Sequence, residues 1–329
     1  MKTFGAIDIG TNSVLLLIGK IKENKSIEPI HEDLKVTRIG KGVYDTKLIT
    51  DEGIKKTLAV LKNYVEKCKE SGVERIRTIG TSALRIAENS NIFLDIAKKE
   101  TGISVEIISG TKEAELSFLG AISGIEDENI DAVIIDIGGG STEIIYGINK
   151  KIQYSKSLEI GSVRLTEKFL KSDPVKENEI EKVRNYIKTN LKTLSPSPFS
   201  PPVSPLPLGE RDRVRENSQS NNSVLIGVAG TVTTLAQIDM KIPCYDRLKI
   251  GNWKLEINNL KEITSLLKEK TIEERKRVKG LEPERADVIL AGAIILEEIM
   301  EHLGFNKVYV STRGLRYGAM MEMIEKIKD

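Results

Sequence analysis

Cysteine is scarce in this chain. Only Cys68 and Cys244 occur among 329 residues, too few and too far apart for a disulfide framework or a cysteine metal site. That excludes the small disulfide-stapled secreted classes and fits a reducing cytosol. An excess of one charge sign is also missing. Fifty basic side chains stand against 48 acidic ones, a net charge of +2, which argues against a general nucleic-acid binder. Positive charge for a polyanionic ligand would have to be local. Long apolar runs are absent as well. VLLLI at 14–18 and VILAGAIIL at 288–296 fall short of the roughly 18 residues a membrane span needs. The opening MKTFGAIDIGTN carries one lysine and then an aspartate inside its apolar run, unlike a secretory leader. The expectation is a soluble, cytoplasmic protein with no nucleic-acid and no membrane partner.

Proline is sparse except in one place. Six of the ten prolines fall within residues 195–207, in SPSPFSPPVSPLP, and the polar run LGERDRVRENSQSNN follows. Proline can neither continue a helix nor pair in a central strand, and the remainder has little to bury. Residues 195–222 read as an exposed, disordered insertion. A proline-rich docking segment in an extended left-handed helix is the alternative.

Over its whole length the composition is that of a soluble globular protein, 40% hydrophobic and 30% charged, and the chain is long enough for two cores. Residues 4–9, 14–21 and 27–37 read as strands joined by short turns. Thr50 is a plausible N-cap before Asp51 and Glu52, and Ile54, Leu58, Leu61, Val65 and Cys68 mark one apolar helical face. A strand at 74–80, a helix closed by Gly102, a strand at 103–109 and a helix at 112–122 complete the pattern βββαβαβα. The second half starts over, with strands at 131–137, 142–149 and 152–160. A helix is expected from Pro174, with Ile180, Val183, Ile187, Leu191 and Leu194 on its face. The strand VLIGVAG, a helix from Thr231, helices at 257–268 and 284–303, the strand KVYVS and a last helix follow. Two related α/β units with a cleft between them are expected, 1–124 and 125–312. The C-terminal helix, about 313–329, packs back onto the first.

The two halves share a signature. IDIGTNSVLLLIG at 7–19 and IDIGGGSTEIIYG at 135–147 align without a gap at an offset of 128, so that Asp8 matches Asp136, Gly10 matches Gly138, Ser13 matches Ser141 and Gly19 matches Gly147. Each is a strand–turn–strand, which separates it from the phosphate loop and the dinucleotide fingerprint that precede helices. Glycine lets such a turn take φ > 0 and lets a ligand approach the main chain. Successive N–H groups then form an anion site. Thr11, Asn12 and Ser13, facing Gly138, Gly139, Gly140 and Ser141 across a cleft, would cradle phosphate. Gly230 and Thr231 open a further helix, another anion site. Each loop aspartate can bind Mg²⁺ directly or through water.

AIDIGTNS, IGTSALR (79–85), ISGTKEA (108–114), VIIDIGGGSTE (133–143), GVAGTVT (227–233), RADVI (285–289) and STRGLRYG (311–318) resemble the Ppx/GppA phosphatases, the exopolyphosphatases and guanosine pentaphosphate phosphohydrolases. The resemblance covers nearly the whole chain except 195–222. It implies an α/β fold of two ribonuclease-H-like domains, of the actin, Hsp70 and sugar kinase superfamily, in the short two-domain form. It also implies Mg²⁺-dependent hydrolysis of terminal phosphoanhydride bonds, with polyphosphate or guanosine pentaphosphate (pppGpp) as substrate.

Residue by residue, Glu113 matches the glutamate taken as catalytic base or water-orienting group. Without the resemblance it would be a solvated first-turn acid favoured by the helix dipole. Asp8, Asp136 and Glu143 match the acids assigned to Mg²⁺ and its waters, and Glu143 can also orient the attacking water. Arg85 aligns with an arginine that reaches phosphate, a role suited to a bidentate guanidinium. Two departures stand out. Lys112 replaces the first of two acids before the alanine, and Leu15 stands where the family often has a basic residue. The missing charge would come from elsewhere, Arg38 or Arg316 being candidates, and Arg285 would look into the cleft. The basic run KEKTIEERKRVKG at 268–280 is either a steering patch or a solvated helix end. A kinase or ATPase of the same superfamily, and a non-catalytic polyphosphate or alarmone sensor, remain the alternatives. Closure of the two domains on substrate is expected, and a homodimer stays open.

Overall fold

The computed structural model describes residues 2–125, 129–194 and 223–326. The proline-rich segment 195–222 and the last three residues lie outside them. Two sheets organise the chain. The first contains β1 (Thr3–Ile9), β2 (Ser13–Ile21), β3 (Ile27–Val36), β4 (Arg75–Gly80) and β5 (Val105–Ile107), in the order β3-β2-β1-β4-β5. β1, β2 and β3 form an antiparallel meander, whereas β4 and β5 join parallel to β1. The parallel steps need crossovers. Helix α2 (Asp51–Glu70) supplies the first, after the short α1 (Val43–Thr46); α3 (Ser82–Ile86) and α4 (Ser90–Thr101) supply the second. As the spacing predicts, Thr50 caps α2 by accepting from the Gly53 N–H at 3.1 Å, and Ile54, Leu58, Leu61, Val65 and Cys68 are buried. Gly102 ends α4 at φ 75°, a conformation that favours glycine.

The second sheet repeats the plan. β6 (Asp131–Ile137), β7 (Thr142–Ile148) and β8 (Lys151–Leu158) form the meander, and β9 (Val224–Val228) and β11 (Lys307–Val310) follow parallel. A short antiparallel strand, β10 (Lys254–Glu256), is added at the edge. The architecture is therefore α/β with two ribonuclease-H-like domains. Helices α6 (Ser162–Phe169), α7 (Glu177–Leu191), α8 (Ala229–Met240), α9 (Arg247–Ile250), α10 (Ile257–Lys268), α11 (Ile272–Arg275) and α12 (Ile289–Leu303) complete it. The apolar periodicity did not isolate α6.

Three expectations need correction. The helix expected from Pro174 begins at Glu177, because the Glu179 carboxylate turns back onto the backbone N–H groups of Lys171, Ser172 and Lys176 and closes the turn there. The 284–303 helix begins at Ile289, after a separate 3₁₀ turn at Pro283–Arg285. The basic run at 268–280 is not a uniformly solvated face. Arg275 is 1% exposed and donates to the Leu267 carbonyl at 2.7 Å.

Two helices are exchanged between the halves. α5 (Gly110–Ile122) follows the first sheet in sequence, yet Ala114, Phe118, Ala121 and Ile122 pack on Ile134, Ile145 and Val228 of the second. A boundary near residue 124 thus separates α5 from the sheet it covers. The last helix, α13 (Leu315–Glu325), returns to the first sheet, where Leu315, Tyr317, Ala319 and Met320 join Phe4, Ala6, Leu17 and Ile79. The matched glycines of the two signatures make room for these helices. A Cβ on Gly147 would stand 2.3 Å from Phe118 of α5, and one on Gly19 would stand 3.1 Å from Met320 of α13. α5 and α13 also cross each other closely. A Cβ on Gly120 would lie 2.0 Å from the Gly314 carbonyl oxygen, and one on Gly318 would lie 1.8 Å from that of Leu116.

Glu322 locks α13 to this position. Its carboxylate meets Arg77 of β4 at 2.5 Å and Lys112 of α5 at 3.1 Å. Burial pushes its pKa up, but the hydrogen bonds and charges of Arg77 and Lys112 prevail and hold it down to about 2. A depressed folded-state pKa contributes stability above the unfolded value, lost as pH falls through the folded one. Glu322→Gln should cost on the order of 2 kcal/mol at pH 7. That gap should narrow as pH falls from 4.5 towards 2. Urea unfolding of both proteins at pH 7 and pH 3 measures it, and a gap unchanged between the two would refute the lock.

Candidate active site

The two signature loops are built alike. Gly10 N–H donates to the Ser13 carbonyl at 2.9 Å, and Gly138 N–H donates to that of Ser141 at 3.0 Å. The chain beyond each meander then pins the loop carbonyls. Thr37 and Arg38 N–H donate to Asn12, and Gly40 N–H to Thr11; Ser162 N–H donates to Gly138, and Val163 and Arg164 N–H to Gly139. The carbonyls are thereby consumed. Among the described residues, the N–H groups of Thr11, Asn12, Gly139 and Gly140 make no such turn bond, which leaves donors for an anion.

The three glycines do not serve the purpose first expected. Gly10 and Gly138–Gly140 are absent from the left-handed φ region among the described residues, so the turns need no glycine for their φ. Two of them are required by contact between the domains. A Cβ on Gly139 would lie 2.9 Å from Thr11 Cβ, and one on Gly140 would lie 1.7 Å from Tyr44 Oη and 2.4 Å from Ser82 Oγ. Tyr44 Oη in turn meets Thr11 Oγ1 at 3.0 Å, and the Arg164 guanidinium stacks 4.2 Å from the Tyr44 ring centre. Tyr44 and Ser82 escaped the sequence reading. The only signal for Tyr44 was an aromatic residue inside the glycine-rich GKGVYDT.

Between the loops lies a cleft of about 760 Å³. Most of the expected site residues line it: Asp8, Thr11, Asn12, Ser13, Glu113, Asp136, Gly138–Ser141, Gly230, Thr231, Arg285 and Arg316. Leu15 lines it too. Arg316 Nη1 donates to the Leu16 carbonyl at 2.6 Å, and its charge acts on Asp8. Arg285 is 8% exposed, pairs with Glu282 at 2.9 Å, and lays its guanidinium on Gly230, where a Cβ would be 2.4 Å from it. Gly230 and Thr231 lie within the first turn of α8. The preceding Ala229 has φ 68°, a strained choice for a residue with a side chain.

Three expected residues stand off the cleft wall. Arg38 spans the domains, bridging to Asp287 at 2.9 Å and donating to the Glu284 carbonyl at 2.9 Å. Arg85 donates to the Ile108 carbonyl at 2.8 Å and to Glu113 at 3.0 Å, so it steadies the glutamate. Glu143 is fully buried behind Asp136, its register partner across β6 and β7, and accepts from Ser157 Oγ at 2.7 Å.

Four carboxylates thus crowd one place, Asp8, Glu113, Asp136 and Glu143. Burial is the largest influence on each. It pushes Glu113 up to about 7, with Arg85 opposing and Asp136 adding. It pushes Asp8 up to about 8, with Glu113 and Asp136 adding and Arg316 opposing. Asp136 is raised by burial against the Ser117 hydroxyl. Glu143 is raised well above its ordinary value by burial, Glu113 and Asp136, against the Ser157 and Ser141 hydroxyls. Asp8 Oδ1 and Glu143 Oε2 are buried without a hydrogen-bond donor. Among the described residues no three acidic, histidine or cysteine side chains form a ready ligand set. The donor chemistry fits a hard cation that keeps most of its waters and takes few carboxylates, as Mg²⁺ does. It does not fit an all-protein cage.

Gly140→Ala should push the two loops apart and lower kcat/KM for phosphoanhydride hydrolysis about 100-fold, because small misplacements of a reacting group cost on that order. Adding Tyr44→Ala should recover part of the loss by vacating the space. Steady-state kinetics of both variants test this, and a Gly140→Ala enzyme within twofold of wild type would show that the loops need not meet.

The chain is 36% identical over 97% of its length to the bifunctional 3-dehydroquinate synthase/phosphatase of Fusobacterium nucleatum, and spans 46% of that protein. It is 32% identical to exopolyphosphatase 2 of Mycobacterium tuberculosis, with 97% of each chain covered. The crystal structure of the Aquifex aeolicus Ppx/GppA family member superimposes with a TM-score of 0.78 at 31% identity, covering 100% of this chain and 99% of that one. The model of the Ppx/GppA phosphatase family matches residues 17–327, and the chain belongs to that family.

Proposed function

We propose that the protein hydrolyses terminal phosphoanhydride bonds with Mg²⁺, releasing orthophosphate from inorganic polyphosphate, converting pppGpp to ppGpp, or both. The observation that carries this reading is the Glu113 carboxylate, buried on the cleft wall beside two loops that offer free N–H donors. The terminal phosphate lies against Thr11, Asn12, Ser13 and Gly138–Ser141, whose N–H and hydroxyl groups take up its non-bridging oxygens. Gly230, Thr231, Arg285 and Arg316 hold the phosphates behind it. Glu113 accepts a proton from water as the water oxygen attacks phosphorus. The bond to the bridging oxygen breaks, and that oxygen leaves with the shortened chain. Arg85 keeps Glu113 aimed. Such catalysis is mostly positioning and charge stabilisation.

Asp8 and Asp136 are the residues that would hold Mg²⁺ and its waters, with Glu143 buried behind them and held by Ser157 rather than touching the attacking water. When bound, the ion would neutralise charge that builds on the phosphate oxygens. A homodimer, a cytoplasmic location and the absence of nucleic-acid and membrane partners belong to the same reading. The near-zero net charge speaks against a general nucleic-acid binder, and no helix among the described residues is long and apolar enough to cross a membrane.

A phosphate-release panel with polyphosphates of several lengths, pppGpp, ATP and GTP, with and without Mg²⁺, tests the function. Turnover of polyphosphate or pppGpp that needs Mg²⁺ is expected. ATP-dependent labelling of an acceptor without such turnover would point to a kinase instead. Glu113→Gln should lower kcat by roughly 10²–10⁴, and retained activity would remove Glu113 as the base.

A further inference from the structure

Ser117 lies one helical turn after Glu113 on α5, and residues four apart share a helix face. Glu113 reaches the cleft from this face. Ser117 is wholly buried, and its Oγ donates to Asp136 Oδ2 at 2.5 Å. A serine inside a helix commonly turns back to the carbonyl four residues earlier, here that of Glu113, but this one reaches out to another element. The bond crosses between segments that the chain delivers separately. α5 follows the first sheet, and Asp136 is the penultimate residue of the first strand of the second. Ser117 brings one proton to a neighbourhood of four acids and spends it on one oxygen of Asp136. The other oxygen of Asp136 is then left for the cleft, which Asp136 lines.

We propose that Ser117 is a positioning residue. Its hydroxyl fixes the rotamer of Asp136 and registers the helix that carries Glu113 against the strand that carries Asp136, so that base and metal-side acid keep one spacing. The inference rests on the hydrolase reading above. A parallel tie supports it: Ser157 Oγ donates to Glu143 Oε1 at 2.7 Å, so each acid of the β6–β7 pair has one oxygen held by a serine. Ser117 was within reach of the sequence, because its distance of four from Glu113 puts it on the working face. A small polar residue in an otherwise apolar helix segment, LSFLGAI, was the signal.

The test uses Ser117→Ala, Ser117→Thr and the near-isosteric Ser117→Cys, which keeps the volume and loses the strong donor. Two readouts are taken on the full chain: kcat and KM for phosphate release, and the Mg²⁺ concentration that half-saturates thermal stabilisation without substrate. Groups that orient metal-side ligands typically contribute about tenfold or more. Ser117→Ala and Ser117→Cys should therefore lower kcat about tenfold with KM within threefold, and raise the Mg²⁺ midpoint about fivefold or more. Ser117→Thr should return both to within threefold of wild type. Should Ser117→Ala fail to fold, Ser117→Cys decides. A variant without the hydroxyl whose kcat and Mg²⁺ midpoint both stay within twofold of wild type, even at a lower melting temperature, overturns the proposal and leaves Ser117 as packing. If wild type hydrolyses none of the substrates, the hydrolase reading falls, and the Mg²⁺ titration still judges Ser117.

Discussion

The close crossing of α5 and α13 is the constraint on which the site depends. Each helix covers the sheet of the half it does not follow in sequence, and they meet where Gly120 and Gly318 allow backbone to touch backbone. No side chain, however small, fits at 1.8–2.0 Å from a carbonyl oxygen, so the distance between the helices is set by the main chain itself. α5 carries Glu113 to the cleft, and α13 carries Arg316. The crossing therefore fixes the Glu113 carboxylate and the Arg316 guanidinium relative to each other. Pre-organisation of this kind is what a reaction governed by position and charge requires.

The glycine loops have two duties, and the structure separates them. Their N–H groups at Thr11, Asn12, Gly139 and Gly140 make no turn bond, while the segments at 37–40 and 162–164 take up the loop carbonyls. Their lack of side chains lets the domains close on each other, with Thr11, Tyr44 and Ser82 pressed against Gly139 and Gly140. Closure is held from outside by Arg38 to Asp287, by Arg247 to Glu32 at 3.2 Å, and by Glu167 to the Gly42 N–H at 2.9 Å. These partly exposed polar contacts are individually weak.

Much of this was legible in the chain. The alternation of strands and the spacing of Ile54, Leu58, Leu61 and Val65 encode local structure directly, and the offset of 128 exposed the duplicated loops. Asp8, Glu113 and Asp136 converge as the motifs implied. What could not be read are contacts between distant segments. Nothing local marks Tyr44 as the residue against Gly140, nor assigns α5 to the second sheet. Arg85 and Arg38 were expected at the phosphate, and they are spent on Glu113 and on Asp287. A charged side chain at a motif position has several partners within reach, and only the fold selects one. The glycine turns were misjudged for a related reason. Their φ values are ordinary, and the demand for glycine comes from the facing domain.

Leu15 ties these points together. It stands opposite Asp8 in the β1–β2 pairing, as Glu143 stands opposite Asp136 in β6–β7. Had both positions been acidic, the centre would hold five carboxylates. Had Leu15 been basic, the charge would sit on the loop and be present in the first domain alone. Instead the cation near Asp8 is Arg316, about 300 residues later in the chain and anchored to the Leu16 carbonyl. Charge balance at the first loop thus exists only when α13 is docked. Docking in turn relies on Glu322 bridging Arg77 and Lys112, and Lys112 is the neighbour of Glu113. Lys112 therefore fastens the helix that supplies Arg316.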